Sequence, residues 1–270
     1  MASRAHRPAK RASGPQSSER FSIPDLDTAA FLSSDKVLFH VDRSRLARDA
    51  HGFPPQELAP PLPSETIPLS EDAVTLELLF RIIYREERVR LDSLPFENIA
   101  ALAEAAEKYD AYAAILLCRI AMEAHCSDHT LAVMSYAARY GHNDILDNAA
   151  GFSVGLESAR VRQELPLNHF AAWAVYVGQY SKLAKTMVIR KSFRVCDLCT
   201  QRIVRKALEY GPECLTNRDT LFSEDILYPK SKTVCEKYYG GGGECKMRLL
   251  NWKDALAGEV NQLQPLSSFL

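Results

Sequence analysis

Several features that would classify a chain at once are missing. No run approaches the roughly 18 uninterrupted apolar residues of a membrane-spanning helix. No apolar core follows the positive charges at the N-terminus, as it would in a secretory leader. A membrane partner is therefore not expected, and the expected location is intracellular, in cytoplasm or nucleus. Neither sign of charge prevails: 33 lysines and arginines meet 34 aspartates and glutamates, so no global field selects a polyanionic or a basic partner. The sequence has no Gly-rich phosphate loop, nucleophile elbow, HExxH pair or paired-carboxylate signature. Gly240, Gly241, Gly242 and Gly243 stand in a row without the lysine, hydroxyl or strand that phosphate cradling requires, and read as a flexible loop. The expected chain is not an enzyme. Its seven cysteines, an odd number in 270 residues, sit mostly in the last third. Free thiols or a metal site fit that pattern better than a disulfide framework.

What is present suits a soluble globular chain, with 47 % hydrophobic and 25 % charged residues. Residues 1–21 carry Arg4, Arg7, Lys10, Arg11 and Arg20 against the single acid Glu19, and read as a disordered basic tail whose RPAKR core is at most a weak nuclear-import signal. Thr28 to Leu32 and Val37 to Val41 are strand-like runs separated by Ser33 to Lys36, which predicts a β-hairpin. In the second run Val37, Phe39 and Val41 share the core face. Pro54, Pro55, Pro60, Pro61 and Pro63 impose a loop.

Thr66 to Leu69 reads as a short strand, and Ser70 followed by Glu71 and Asp72 as a capped helix start. Val74, Leu78 and Ile82 repeat at helical spacing. Phe96 to Tyr109 and Ala111 to Ala124 predict two close-packed helices, the second carrying Tyr112, Ile115, Leu116 and Ile120. A further pair follows: one helix capped by Ser127 or Asp128 and ended by Gly141, the other running from Asn143 to Phe152. The predicted fold class is α+β, helix-dominated: a small sheet with helical hairpins, then a mainly helical C-terminal domain. The predicted divisions are a tail at 1–21, a first domain at 22–126, a helical extension at 127–165 and a C-terminal helical domain with a Cys-rich segment at 166–270.

The order of these elements and several strings resemble a BTB/POZ domain. Asp27 stands before the first strand, and Phe39, Val41, Arg43, Ser44 and Leu46 match the family's aromatic-x-aliphatic-x-Arg-x-x-Leu junction, in which a strand hands directly to a short helix across the hairpin. IPLSED (67–72), LELLFRIIY (76–84) and LAEAAEKYD (102–110) match later signatures. The closest likeness is to the expanded BTB family of mushroom-forming (basidiomycete) fungi, over roughly residues 22–152. The resemblance implies a non-enzymatic protein–protein interaction module that self-associates as a homodimer or recruits a protein partner. It implies an interface at Asp27, Phe39, Val41, Arg43 and Leu46. One alternative is a substrate adaptor of a cullin-type ubiquitin ligase. A proline-rich loop stands where many members carry a Met-Phe helix that contributes to cullin contacts, which counts against that alternative.

The last third has its own chemistry. Cys196 and Cys199 form CDLC, a knuckle able to hold one side of a tetrahedral zinc, with Cys235 and Cys245 as the remaining ligands and Cys214 as a substitute. A structural zinc is the one cofactor considered; otherwise none is expected. His125 and His129 fall four apart, although Cys126 to Asp128 between them read as a helix break. Phe170, Trp173, Ala174, Val177, Tyr180 and Leu183 form a helical stripe that reads as a core face. Lys182, Lys185, Arg190, Lys191, Arg194, Arg202, Arg205 and Lys206 gather beside the knuckle. A zinc-containing nucleic-acid-binding regulator is the second alternative, but near-neutral total charge favours a solvated helix face over a nucleic-acid partner.

Overall fold

The computed structural model describes residues 16–25, 27–53, 66–85, 89–189, 195–223 and 242–270. The protein is α+β with helix dominant and one small mixed sheet, as the sequence predicts. No described helix is long and apolar enough to cross a membrane. The chain divides into two compact units, Met1–Met122 and Glu123–Leu270. The predicted readings of residues 1–15, of the prolines at 54–63, of Arg190 to Arg194, of Cys235 and of Gly240 and Gly241 lie outside the described residues.

In the first unit, β2 (Thr28–Leu32) and β3 (Val37–Asp42) form the predicted antiparallel hairpin, with Phe31 opposite Phe39. Ser33 closes the turn: its Oγ accepts the Val37 N–H at 2.8 Å, while Lys36 takes the positive φ (72°) that reverses the chain. Ala29, Phe31, Phe39 and Val41 are buried, the period-2 pattern of a sheet with one face on a core. β4 (Thr66–Pro68) adds parallel to β2 at one edge, where Pro68 has no N–H to waste on a further neighbour.

The opposite edge was not predicted. β1 (Gln16–Ser17) pairs parallel to β3, and Phe21 is buried against Phe39, Phe80 and Tyr84. The end of the basic tail is therefore part of the fold. Gln16 and Ser17 contribute through backbone alone, which composition does not reveal, and Phe21 supplies the apolar anchor.

Asp42 ends β3 and starts α1 (Arg43–Asp49), its Oδ1 accepting the N–H of Ser44 at 2.8 Å and of Arg45 at 3.1 Å. The Ser44 hydroxyl bond, then those backbone bonds, hold the Asp42 carboxyl below its usual range. α2 (Ala73–Ile83) is capped by Asp72, not by Ser70 as predicted. Asp72 Oδ1 accepts the Thr75 N–H at 2.8 Å, while the Ser70 hydroxyl is engaged by Glu71 and Lys108. α3 (Phe96–Lys108) lays Ile99, Leu102, Ala103 and Ala106 against α2, small residues permitting close approach.

Phe31, Phe53 and Phe80 fill the centre, and Phe53 stacks on Tyr109 with ring centroids 4.1 Å apart. The Tyr109 hydroxyl donates to Glu71 Oε2 at 2.6 Å, and Lys108 Nζ lies 2.7 Å from Glu71 Oε1. Burial pushes the Glu71 carboxyl up, but the bonds from Lys108, Tyr109 and Ser70 outweigh it and hold the group below the usual glutamate range. α4 (Tyr112–Ala124) follows, its buried residues being Ala114, Cys118 and Met122.

The second unit contains α5 (Thr130–Tyr140), α6 (Asn143–Ala150), α7 (Ser158–Glu164), α8 (Leu167–Ile189), α9 (Asp197–Tyr210), α10 (Arg218–Leu221) and α11 (Gly242–Asn261). Gly141 ends α5 in the left-handed region (φ 73°), as predicted. The predicted caps are not used: His129 occupies the position before α5, and the first-turn hydroxyl of Thr130 instead donates to Cys126 O at 2.8 Å.

Predicted extension and C-terminal domain are tied together within this unit. Trp173 Nε1 donates to the buried Ser153 Oγ at 2.9 Å, and Asp147 accepts both the N–H and the hydroxyl of Ser267 at 2.8 and 2.6 Å. α8 buries Ala172, Trp173, Tyr176, Tyr180 and Met187. The predicted stripe thus holds at Trp173 and Tyr180, while Ala174 is exposed and Tyr176 takes its place.

Candidate functional site

The residues predicted for an interface do structural work in the first unit. Phe39 and Val41 are 0 % exposed and Leu46 5 %, so none offers a surface to another chain. Strand and helix alike turn these side chains inward, because the junction packs α1 across the hairpin. Asp27 and Arg43 close the end of the β2–β3 ladder: Asp27 O accepts the Arg43 N–H at 2.9 Å, and Arg43 Nε donates to Thr28 O at 3.3 Å.

An exposed apolar stripe lies on α4. Tyr112 (69 % exposed), Leu116 and Ile120 (68 %) recur four residues apart, with Leu117 beside them. Sequence periodicity gave this side to the packing interface, since its residues are the larger ones. The helix instead buries Ala114, Cys118 and Met122, whose side chains are shorter or unbranched. Burial, then the Glu107 charge, pushes the Cys118 thiol up to about 12, which leaves it a neutral core group. Between Tyr112 and Met122 the single charged residue is Arg119.

In the second unit the thiol sulfurs of Cys196, Cys199 and Cys245 lie within 4.8 Å of one another, and all three residues are buried. Cys196 stands immediately before α9 with extended backbone (ψ 155°), and Cys199 is in its first turn. The CDLC spacing therefore wraps the start of one helix and points both thiols to one place. Cys199 also begins that helix's buried stripe, continued by Ile203 and Ala207. Cys245 does the same for α11, where Leu249, Trp252 and Leu256 follow at helical spacing.

Among the described residues no fourth Cys, His, Asp or Glu ligand atom joins the three. Cys235, the predicted fourth ligand, lies outside the described residues. Cys214, the predicted substitute, is buried in a 3₁₀ turn (Gly211–Leu215) and is not in the cluster. Burial and then Glu213 push its thiol up to about 11.

Two of the other candidates, the histidine pair and Lys206, are engaged in packing. The rings of His125 and His129 meet edge to face with centroids 5.7 Å apart. Of the basic cluster, Lys206 Nζ donates to Ser223 Oγ at 2.5 Å and Thr220 O at 3.4 Å, drawing α9 onto the end of α10. A recess of about 480 Å³ between α8 and the end of α9 is lined by Ser181, Ala184, Lys185, Ala207, Leu208 and Pro212.

Compared with protein-family models, curated proteins and solved structures, the chain matches none.

Proposed function

We propose that the chain is a non-enzymatic protein–protein interaction module of BTB/POZ type whose first unit pairs with a second copy of itself through α4. The exposed stripe of Tyr112, Leu116 and Ile120 carries this reading. Exposed apolar groups gathered on one face mark interaction surfaces. A face that meets its own copy about a two-fold axis must be self-complementary, and like charges in it would repel. This face presents apolar groups at four successive exposed large positions, so a copy can be laid on it without juxtaposing like charges.

The stripe runs about 12 Å along the helix. That is the apolar centre of an interface rather than its whole extent, since a stable interface covers roughly 800 Å² per partner. Support for the family reading comes from the order hairpin, α1, β4, then paired helices, and from β3 handing directly to α1 at Asp42. The interface implied by the resemblance is moved off the hairpin because Phe39, Val41 and Leu46 are interior.

Light scattering on the full chain tests the reading. A dimer is expected for the natural sequence and a monomer with unchanged circular dichroism for the double variant Leu116→Glu, Ile120→Glu. Exposed helix positions tolerate such changes within about 0.5 kcal/mol per site, so loss of the dimer is separable from loss of the fold. A monomeric natural chain, or a dimeric double variant, would refute the proposal.

A further inference from the structure

We propose that Cys196, Cys199 and Cys245 are ligands of a structural zinc ion that fastens the start of α9 to the start of α11. The inference goes beyond the interaction reading and stands whether or not α4 pairs with a second copy. It rests on three observations. Three buried sulfurs from sequence positions 49 residues apart converge within 4.8 Å. In a tetrahedral zinc site with bonds of about 2.3 Å, the sulfurs are about 3.8 Å apart, so side-chain adjustments of an ångström or less complete three corners.

The second observation is the local backbone. CxxC across a helix start is the arrangement in which two thiols reach one ion without bending the helix, because residues at i and i+3 share a face. Asp197 and Leu198, the residues between, are free to point elsewhere. The third is ligand chemistry. Thiolate is the soft donor that selects zinc over magnesium or calcium, and a site of three sulfurs inside protein has no use for a hard cation.

Binding replaces three S–H bonds by three Zn–S bonds and releases the protons to solvent. Three thiolates around a dication leave one net negative charge, which the start of α9 stabilises by its dipole. The fourth corner is open to water. Packing alone is the competing account, in which the thiols are neutral fillers like Cys118; it predicts no affinity for metal.

The test uses the full chain, purified without chelator and desalted, with metal measured by mass spectrometry and by a chromogenic chelator after mercurial release. Expected is one zinc per chain, released when the thiols are blocked. Cobalt in its place should give the intense visible bands of a tetrahedral ion and a thiolate-to-cobalt charge-transfer band in the near ultraviolet. Cys199→Ser and Cys245→Ser should each lower the zinc affinity by more than the 10–100-fold typical of losing an outer-shell partner. Cys214→Ser and Cys118→Ser should retain the metal.

Because a ligand variant could fail to fold, the cobalt spectrum of the natural chain is the deciding measurement. Its absence after loading, or retention of zinc in a folded Cys199→Ser, Cys245→Ser double variant, overturns the site. Equal loss from Cys214→Ser overturns this choice of ligands. Zinc loss in the ligand variants with an unchanged oligomeric state would separate this site from the α4 surface.

Discussion

Two substitutions of the same kind, Gly52→Ala and Gly178→Ala, should act in opposite directions. At Gly52 a Cβ would stand 2.5 Å from Lys108 O and 2.6 Å from Tyr109 Cα. Carbon atoms prefer about 3.5–4.0 Å, so the two backbones must part by roughly an ångström. That separation strains the Gly52 N–H bond to Tyr109 O, 2.9 Å long, and the Phe53–Tyr109 stack beside it. Overpacking costs about 1–3 kcal/mol and a weakened hydrogen bond about 1 kcal/mol. The reduced freedom of the unfolded chain returns about 0.4–1 kcal/mol.

The net is a loss of about 1–3 kcal/mol. At Gly178, in α8, nothing lies within 4 Å of the added methyl, and alanine should gain about 0.8–1.0 kcal/mol from helix propensity. Urea denaturation reads both. Trp173 and Trp252, the two tryptophans, both lie in the second unit, so their fluorescence should report the Gly178→Ala gain. Far-ultraviolet circular dichroism covers the first unit as well. With a slope of about 2 kcal/mol per molar urea, Gly52→Ala should lower the first unit's midpoint by about 0.5–1.5 M. A midpoint that stays or rises would show that the Gly52–Tyr109 contact is not close, and the argument from it would fail.

Leu46→Asp should unfold the first unit rather than dissociate a dimer. Losing the buried leucine costs about 2–5 kcal/mol before the unpaired carboxylate is counted, and a soluble variant with natural circular dichroism would contradict the burial argument. Glu71, whose folded-state pKa is depressed, stabilises the first unit fully above its unfolded pKa, near the usual carboxylate value. That contribution is lost as pH falls through the lower folded pKa. Glu71→Gln should therefore flatten the acid limb of a stability–pH curve, and an unchanged limb would remove Glu71 from the account. Trp173→Phe should cost about 1–3 kcal/mol by urea titration, because Ser153 Oγ is buried and loses its indole donor.

The hairpin was legible because Thr28 to Leu32 and Val37 to Val41 carry the period-2 pattern and strand composition together, and local chemistry agrees with the tertiary result. α2 was legible as a helix but not in its cap, since Ser70, Glu71 and Asp72 are all competent. The choice fell to Asp72 once Ser70 and Glu71 were drawn to Lys108 and Tyr109, 37 or more residues away. β1 left no trace because a two-residue edge strand is bound by backbone N–H and C=O, which every residue possesses. α4 misled for the opposite reason. Its large apolar side chains advertise a core face, while the residues it buries are Ala114, Cys118 and Met122.

The cysteines show where such reading stops. CDLC brings two candidate ligands together by local geometry, because four consecutive residues at a helix start have few ways to point two thiols apart. The third ligand of the proposed site is a long-range choice among Cys214, Cys235 and Cys245, and spacing has no means of ranking them. The fold separates two of these. Pro212 and Glu213 carry Cys214 into a 3₁₀ turn whose burial keeps its thiol protonated near neutral pH. Cys245 instead leads a buried stripe, Leu249, Trp252 and Leu256, so packing of that stripe already delivers its sulfur to the CDLC thiols. On the proposed zinc site, affinity would be partly set by apolar packing of α11. Trp252→Ala, which removes a member of that buried stripe, belongs among the variants whose metal content distinguishes a prepositioned third ligand from one recruited by the ion.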